Sequence, residues 1–412
     1  MKILQITFGV VNSTSCLRLR KALVAEGHEV KIICLSASDK VKDENGIDTI
    51  ELSLYFKLYR KLYRIFEKHF GISQIREDVS TYFSIGNDGV PYTSIKRYVK
   101  EADVVHIHWA LMLINYRNLK NIVKDAKKVV WTAHDCWPFT GGCHHTPNDC
   151  RGYEKGCGNC PLLKKSCKSD LSRKIIKKKE NVYTDKLIMV GPSVWITNKM
   201  KNSSLLRNNQ VVTIPNALNC DVFKIKEPYQ LKKKYKLPLN KKILMVGAYD
   251  MASPYKGYEN FLNILNILKN DVIASDIVLI TVGHVRNMSD LCGDIACIQM
   301  GYVDSEEVMS ELYNASDVFM LTSVKENLPT VVMESLSCGT PVTAFDIGGV
   351  SDMISHNIDG YIAKPFDAED FVKGIKWCLD GGKENSQQMH EKMRDYCSYP
   401  VIAKKYLDIY ES

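Results

Sequence analysis

The sequence predicts an α/β protein with two domains, each built on a parallel sheet that helices cover on both faces. The chain has 412 residues, which is more than one hydrophobic core usually organises. Short apolar strands alternate with helices along the chain, a pattern typical of parallel sheets. A polar stretch over 220–240 separates two such series. We therefore expect a first domain over 1–218 and a second domain over 219–397.

The first domain begins with a β-α-β unit, with a strand over 2–7, a helix over 17–26 and a strand over 30–35. Further strands of the same apolar character are predicted over 104–108, 128–132 and 187–191. Ligands of parallel sheets bind beyond the carboxyl ends of the strands. His108 and His134 follow two of these strands, so we expect both to lie near a ligand.

The second domain repeats the alternation. Its predicted strands are short and apolar, and they cover 243–246, 277–282, 298–300, 318–321 and 342–345. A proline removes a backbone donor and restricts the residue before it. We therefore predict a break at Tyr399-Pro400 and a final helix over 401–410.

Composition limits the classes of protein to consider. Hydrophobic residues make up 45% and charged residues 25%, which is ordinary for a globular chain. The net charge of +8 suits anionic ligands or an anionic membrane surface, but it is too small to indicate a nucleic-acid binder. No apolar run approaches the ~18–20 residues of a spanning helix. The first nine residues are predicted to be a buried strand and not a signal peptide, so we expect a cytoplasmic protein.

The segment from Glu326 to Glu334 is the most informative motif. Pro329 is favoured at the first position of a helix, so we predict a helix from Pro329 to Gly339. Its free N–H groups, over 327–331, would form a positive pole suited to phosphate. Glu326 precedes that pole and Glu334 lies in the second turn, which leaves one carboxylate on each side of the phosphate. A sugar and a ribose would fit these positions, which describes a nucleotide sugar.

The motifs around this segment carry a family resemblance. Ala315-Ser-Asp317 precedes it, and Gly339-Thr-Pro341 and Gly348-Gly349 follow it. This ordered series resembles the donor-binding half of the retaining glycosyltransferases of family 4, of the bacterial polysaccharide-biosynthesis type. The resemblance spans most of the chain and is densest over 243–365. It implies the GT-B architecture, two Rossmann-like β/α/β domains facing across a cleft, with 398–412 crossing back to the first domain.

The resemblance implies a donor site in the second domain. In the family a Lys after the first strand of this domain faces the donor diphosphate, and Lys256 matches it. The Arg expected earlier in that loop is replaced by Ala-Tyr-Asp over 248–250, so Arg286 is the candidate substitute. The predicted donor-binding residues are Glu334, Lys256, Arg286, Gly301, Tyr302, Val303, Asn327, Leu328, Pro329 and Thr330. The predicted catalytic residues are Glu326, His134 and Lys256.

In the first domain the resemblance places His134 opposite the transferred sugar, although a lone histidine is often structural. The Gly-Gly pair usual in the first loop is absent. Gly9 and Ser13 are the candidates for the acceptor or phosphate loop in its place.

Two observations concern metals. No D-x-D spacing occurs in the chain, so we expect transfer without a catalytic metal or other cofactor, with Lys256 and the helix pole stabilising the leaving group. Four thiols, by contrast, cluster at Cys143, Cys150, Cys157 and Cys160. In a cytoplasmic chain such a cluster indicates a structural zinc, reduced free thiols or, last, disulfides. Isolated cysteines in apolar segments, namely Cys34, Cys338 and Cys378, are expected in the core.

Residues 54–69 form an amphipathic pattern. On a helical wheel Leu54, Tyr55, Leu58, Tyr59, Leu62, Tyr63, Ile65 and Phe66 share one half, and Lys57, Arg60, Lys61, Arg64, Glu67 and Lys68 share the other. Such a helix either lies on an anionic membrane or packs on its own domain, and the pattern does not separate the two.

These observations predict a glycosyltransferase that moves a sugar from UDP or GDP to a glycan or lipid-linked acceptor in capsule or lipopolysaccharide synthesis. It would be cytoplasmic or peripheral on the inner face of the plasma membrane. One alternative is a nucleotide-sugar epimerase of the same architecture. Another is a nucleic-acid binder that uses the thiol cluster and the basic run over 164–179, although that run has the composition of a solvated face.

Overall fold

The computed structural model describes residues 1–9, 14–35, 46–70, 75–76, 82–147, 150–251, 253, 255–284 and 292–412. The chain divides into two compact units. The first unit comprises Met1–Ala217 with Ile402–Ser412, and the second comprises Leu218–Val401.

Within the described residues, the sheet of the first unit has seven strands. They are β1 (Lys2–Ile6), β2 (Glu29–Cys34), β3 (Ile47–Thr49), β4 (Val104–Ile107), β5 (Val129–Thr132), β6 (Leu187–Gly191) and β7 (Val211–Thr213). Their order is β3-β2-β1-β4-β5-β6-β7, and every neighbouring pair is parallel. Strands β4, β5 and β6 are buried along their whole length, which explains their continuous apolar sequences.

Helices connect these strands. They are α1 (Thr14–Ala25), α2 (Leu54–Phe70), α3 (Lys96–Glu101), α4 (Tyr116–Asp125), α5 (Leu171–Glu180) and α6 (Val194–Asn202). Short polar side chains begin three of them, because Asn115, Asp170 and Ser193 each accept a hydrogen bond from a backbone N–H of the first turn.

The second unit contains a six-stranded sheet in the order β10-β9-β8-β11-β12-β13, again parallel throughout. Its strands are β8 (Lys242–Asp250), β9 (Ile277–His284), β10 (Ala296–Gly301), β11 (Val318–Leu321), β12 (Val342–Phe345) and β13 (Gly360–Ala363). Its helices are α7 (Pro228–Lys234), α8 (Tyr258–Lys269), α9 (Glu306–Ala315), α10 (Thr330–Ser337), α11 (Ala368–Leu379) and α12 (Ser386–Cys397). The predicted fold class of two Rossmann-like units is therefore confirmed.

The last helix, α13 (Tyr399–Glu411), differs from the prediction because it begins two residues earlier. Pro400 lies in the first turn, where a helix needs no N–H from it, so the proline starts the helix instead of breaking it. The end of α13 belongs to the first unit. There the Tyr410 hydroxyl forms a hydrogen bond with His106 Nδ1 at 2.6 Å, and the Tyr406 hydroxyl forms one with Thr132 Oγ1.

Each unit has its own hydrophobic core. The largest cluster of the first unit joins β1, β4 and β5 to α4, and that of the second joins β8 and β9 to α8 and α11. Cys34, Cys338 and Cys378 are each no more than 2% exposed, which confirms that they are core residues.

Helix α2 corrects the predicted helical wheel. Arg60 was expected on a basic outer face, but it is 8% exposed and bonds both carboxylate oxygens of Asp88 at 3.1–3.3 Å. Phe56 and Tyr63, at helical spacing from Arg60, are half-buried. Four apolar residues point outward, Leu54, Leu58, Leu62 and Ile65, at 84%, 57%, 60% and 59% exposure, and Lys57, Tyr59 and Lys61 are exposed as well. The side chains of Tyr55, Arg64 and 66–70 lie outside the described residues.

Candidate active site

The order of the second sheet changes direction between β8 and β11, and open α/β sheets bind ligands beyond such a point. Lys256 follows β8 and Glu326 follows β11. Lys256 Nζ donates to Glu326 Oε1 at 2.6 Å, and Ser323 Oγ donates to the same oxygen at 2.8 Å. The Lys256 side chain is 35% exposed and that of Glu326 is 13% exposed. Lys256 and Glu326, which the sequence assigned to different parts of a sugar-donor molecule, thus form one accessible ion pair.

Glycines make this pairing sterically feasible. Gly257 has φ +69°, and a Cβ there would overlap the carbonyl oxygen of Thr322. Gly348 has φ +56°, and a Cβ there would overlap the carbonyl oxygen of Glu326. Both conformations and both close approaches favour glycine. The Lys256 loop and the Glu326 loop are therefore held together by backbone contacts that any side chain would disturb.

Helix α10 begins beside the pair. The prediction placed Pro329 at its first helical position, but Pro329 is the N-cap with ψ 116°, so the helix begins at Thr330. The first N–H groups of a helix have no acceptor within it and form a positive pole. The side chains of Asn327 and Leu328 are buried, so these residues offer a ligand mainly their backbone.

Glu334 lies one turn into α10 and is 6% exposed. One of its carboxylate oxygens, Oε2, accepts a hydrogen bond from the Tyr313 hydroxyl at 3.1 Å. The structure therefore places both glutamates of the motif beside the N-terminal part of one helix, as the sequence predicted, but Glu334 is much less accessible than Lys256.

Three predicted donor-binding residues, Gly301, Tyr302 and Val303, lie at the end of β10 and directly after it. Gly301 ends β10 with φ +67°, and Tyr302 is 51% exposed. The Tyr302 ring stacks on His284, with centroids 6.0 Å apart and planes 3° from parallel. Val303 follows on the same loop. The predicted substitute Arg286 lies outside the described residues, and so does Ser13 of the first unit.

At the carboxyl edge of the first sheet, three histidines lie in a row across β4 and β5. His106 and His108 have ring centroids 4.1 Å apart, and His108 Nδ1 lies 3.1 Å from His134 Nε2. Burial lowers the pKa of His106 to about 3 and that of His134 to about 4, and it also lowers the pKa of His108. All three imidazoles are therefore neutral near pH 7. His134 lies where the sequence placed it, but in a neutral network.

A second group of side chains at this edge was missed by sequence reasoning. Asp135 Oδ2 accepts hydrogen bonds from Trp109 Nε1 at 3.1 Å and from His144 Nδ1 at 2.7 Å. His144 Nε2 in turn lies 2.9 Å from Ser84 Oγ. Burial would raise the pKa of Asp135, but the neighbouring His144 and the N–H of Trp137 outweigh that effect and lower it. Asp135 is therefore a firmly held carboxylate.

Gly9 lies near this group, since Phe8 N donates to the Trp109 carbonyl at 2.7 Å and the Phe8 ring meets the Trp109 ring edge-on at 5.7 Å. The sequence offered one usable signal for the group. Trp109 and Asp135 directly follow His108 and His134, the two strand-end histidines. Nothing in the spacing, however, pointed to Ser84 or His144.

The basic run over 164–179 was predicted to be a solvated face, and its last residue, Lys179, departs from that prediction. Lys179 is 0% exposed, lies 3.9 Å from the centroid of the Trp137 ring and donates to the carbonyls of Trp137 and Thr140. Burial lowers its pKa to about 7. Lys179 therefore supports the loop that follows β5, which removes one charge from the surface that the nucleic-acid alternative needed.

The four clustered cysteines line one cavity with Thr140 and Tyr153. A methyl group added at Gly152 would lie 3.6 Å from Cys150 Sγ and 3.9 Å from Cys157 Sγ, so these two sulfurs face a common point. Within the part of the chain that the structure describes, no three His, Cys, Asp or Glu side chains converge enough to hold a metal ion. The zinc thus stays a prediction.

The fold and site together define a class of protein. Two parallel-sheet Rossmann-like units are the architecture of a GT-B glycosyltransferase. Residues 13–221 match the family model described as glycosyltransferase family 4, and residues 230–396 match the model described as glycosyl transferases group 1. The chain belongs to glycosyltransferase family 4, as the sequence predicted.

The chain is similar to named relatives. It is 26% identical over 280 residues to the putative colanic acid biosynthesis glycosyl transferase WcaC of Escherichia coli K12, covering 63% of each chain. It is 28% identical over 174 residues to the N,N'-diacetylbacillosaminyl-diphospho-undecaprenol alpha-1,3-N-acetylgalactosaminyltransferase of Campylobacter jejuni, covering 41% of this chain and 44% of that one. The chain thus spans less than two thirds of the length of either relative.

A structure of Anabaena HepE in complex with UDP has the same fold, with a TM-score of 0.66 and 11% identity over 100% of both chains. That similarity concerns the fold alone. The family matches also give no support to the epimerase alternative, because both models describe glycosyltransferases.

Proposed function

We propose that the protein transfers a sugar, with retention, from a UDP- or GDP-sugar to a glycan or lipid-linked glycan in the synthesis of a cell-surface polysaccharide. The observation that carries the proposal is the accessible Lys256–Glu326 pair beside the N-terminus of α10. The names of the relatives agree with it, since one is a colanic acid biosynthesis protein and another acts on a diphospho-undecaprenol substrate.

Each residue has a proposed role. Lys256 turns from Glu326 to the donor diphosphate and, with the free N–H groups of α10, stabilises the charge that grows on the leaving group. Glu326, released from Lys256, accepts hydrogen bonds from hydroxyls of the transferred sugar. Glu334 binds the ribose. His134, the third predicted catalytic residue, is neutral near pH 7 and can offer a sugar hydroxyl a polar contact without a competing charge.

No metal is needed for these steps, because the cations and dipoles that face the diphosphate come from the chain itself. Retention would follow if the acceptor hydroxyl attacks on the face that the diphosphate leaves and gives its proton to that phosphate. The anomeric configuration of the product, determined by NMR, is the measurement for this part of the proposal.

The test of the donor site uses the two glutamates. Glu326→Ala is expected to keep nucleoside diphosphate binding near the wild-type value and to reduce turnover, since the sugar contacts are lost while Lys256, released from its ion pair, still binds the diphosphate. Glu334→Ala is expected to weaken binding, because the ribose loses a charged acceptor. Calorimetry with UDP and GDP and a radiolabelled transfer assay measure both, and full activity in either variant would contradict the assignment.

We also propose that α2 attaches the first unit to an anionic membrane. Leu54, Leu58, Leu62 and Ile65 fall within about 80° of the helical wheel, and each is more than half exposed. Lys57 and Lys61 are exposed beside this stripe, whereas Arg60 is turned inward. An apolar stripe with lysines along its border matches the interface of an anionic bilayer.

Liposome flotation tests this proposal. The double variant Lys57→Glu/Lys61→Glu should lose binding to anionic vesicles, and Leu58→Ser/Leu62→Ser should lose it at low salt as well. Lys120→Glu/Lys124→Glu on α4 has the same spacing and exposure but no apolar stripe, so it should float like the wild type. Wild-type protein that ignores anionic vesicles would show that the stripe has another partner. Among the described residues, no helix is long and apolar enough to cross a membrane.

The structural zinc is a third proposal, with Cys143, Cys150, Cys157 and Cys160 as ligands. Gly156, Cys157, Gly158 and Asn159 all have positive φ, a tight turn of the kind that brings two cysteines to one metal. Burial raises the pKa of Cys157 to about 11 and that of Cys160 to about 12, and a bound cation would favour their thiolates. Elemental analysis should give about one zinc per chain, and a metal-free, fully active preparation would refute it.

A further inference from the structure

The first sheet, like the second, changes direction at one point, between β1 and β4. Phe8 follows β1 and Trp109 follows β4, so Trp109 stands where an open α/β sheet is expected to bind a ligand. Its side chain is 39% exposed. An exposed indole at this point offers a ligand a flat aromatic face.

The indole is also held in one orientation. Its N–H donates to Asp135, which accepts from His144, which hydrogen-bonds Ser84. Trp137 N donates at 2.8 Å to the other oxygen of Asp135. Asp135, Trp137 and His144 lie in the connection that follows β5, Trp109 lies in the one that follows β4, and Ser84 lies between α2 and α3, so this relay of hydrogen bonds joins segments beyond the strands. It fixes the position of an exposed ring.

The ring lies among apolar side chains and a few polar groups, which include the Asp135 carboxylate. Trp109, His134 and Asp135 line one pocket, together with Asn115 and His108. His108 is 2% exposed, and within the described residues its Nε2 atom has no hydrogen-bond partner. An aromatic face beside acceptors and neutral imidazoles suits a sugar, because one face of a sugar ring presents C–H groups and its edge presents hydroxyls.

We propose that Trp109 is the platform on which a sugar ring of the acceptor stacks, with its hydroxyls directed to His134, His108 and Asp135. In this arrangement His144 and Ser84 are positioning residues, since they act on the ligand only through Asp135 and Trp109. The inference rests on the proposed transferase function. It adds the residue that makes the acceptor site selective for a sugar over a protein or a lipid tail.

The probes are methyl α-D-glucopyranoside, methyl β-D-galactopyranoside and methyl α-D-mannopyranoside, studied by saturation-transfer NMR on the whole protein. We expect at least one to receive saturation at its ring C–H protons. Trp109→Ala should raise the Kd of that glycoside at least about tenfold, the loss expected for one aromatic contact. Trp109→Phe keeps an aromatic face but loses the bond to Asp135, and should give a smaller increase.

The positioning residues need a readout that a general loss of structure would not give. His144→Ala should raise the KM for the acceptor while leaving kcat and the KM for the donor nearly unchanged, and His144→Asn, whose amide nitrogen can take the place of Nδ1 and donate to Asp135, should recover part of the loss. Tyr229→Ala, which removes another exposed aromatic on α7 of the second unit, is the matched control and should behave as the wild type does.

Equal glycoside binding by wild type and Trp109→Ala would overturn the inference, and so would the absence of saturation transfer from the wild type to all three glycosides. Thermal unfolding of each variant identifies any that fail to fold, in which case Trp109→Phe decides. Calorimetry with UDP and GDP separates the two proposals, because a wild type that binds neither nucleotide would count against the donor site and not against Trp109.

Discussion

The carboxyl edges of the two sheets are alike in topology but differ in the charged groups that they carry. In the second unit, the switch point carries Lys256 and Glu326, which form an ion pair beside a helix N-terminus. In the first unit, the corresponding point carries neutral histidines, an exposed indole and one carboxylate held by three donors.

This difference indicates what each edge can bind. A lysine and a helix pole favour an anion, and the glutamate keeps the lysine in place until the anion arrives. An edge whose histidines are kept neutral by burial has little net charge to offer, so it favours a neutral, hydroxyl-rich ligand. A nucleotide sugar and a glycan acceptor would divide between the two edges in this way.

The largest effect is expected from removing the cation of the second edge. Lys256→Met should reduce kcat by about 100-fold to 1000-fold, because the leaving diphosphate loses a preorganised positive charge. A transfer assay with saturating donor measures it. Lys242→Met, at the opposite end of β8, is the control and should have no effect. A similar loss in both variants would point to the fold of the unit and not to the charge of the site.

A smaller effect is expected at the ribose position. Glu334→Gln keeps the shape of the side chain and the hydrogen bond from Tyr313 but removes the charge, so nucleoside diphosphate affinity should fall about 10-fold to 100-fold. Tyr313→Phe removes only the partner of Glu334 and should cost less. Calorimetry measures the Kd of both variants, and an unchanged Kd in Glu334→Gln would exclude the ribose contact.

The first edge should be the acid-sensitive part of the molecule. His106, His108 and His134 have pKa values lowered by burial, so between about pH 6.5 and pH 4 the unfolded chain binds protons that the folded chain does not. The neighbouring Asp135 carboxylate raises the pKa of His134 and so makes the effect of that histidine smaller. The free energy of unfolding should therefore fall with falling pH in this window, by about 1.4 kcal/mol per pH unit for each such proton.

Tryptophan fluorescence can follow this loss of stability. Four of the five tryptophans, Trp109, Trp131, Trp137 and Trp195, belong to the first unit. Urea titrations at pH 7, 6 and 5 should show a falling midpoint, and His106→Asn should reduce the slope. A midpoint that does not change between pH 7 and pH 5 would mean that these histidines are not buried in their neutral form.

The smallest expected effect is that of chelation. Since Lys256 and the backbone supply the positive charge, excess EDTA should leave the transfer rate unchanged in a short assay. Activity that EDTA removes and magnesium or manganese restores would show that the second edge is incomplete without a metal.

The two edges also differ in how much of them could be predicted from sequence. The pair of glutamates, the helix start and Lys256 belong to local motifs, each within a few residues of a strand end, and the helix start was wrong by a single residue. The salt bridge between Lys256 and Glu326 was not foreseen, because 70 residues separate them.

The first edge was predicted only where a residue ends a strand. His108 and His134 were found in that way. The relay joins Ser84, Trp109, Asp135 and His144 from three different connections of the chain, and no spacing rule connects them. Arg60 and Lys179 show the same limit in another form, since a helical wheel or a basic run cannot reveal that one charge turns inward to a buried partner.

The most direct test of the contrast between the two edges is a calorimetric titration of UDP and GDP into three proteins, the wild type, Lys256→Met and Trp109→Ala. The account predicts that the wild type binds one nucleotide, that Lys256→Met binds it at least about tenfold more weakly, and that Trp109→Ala binds it as the wild type does. Weakening by Trp109→Ala equal to that by Lys256→Met, or no binding of either nucleotide to the wild type, would contradict it.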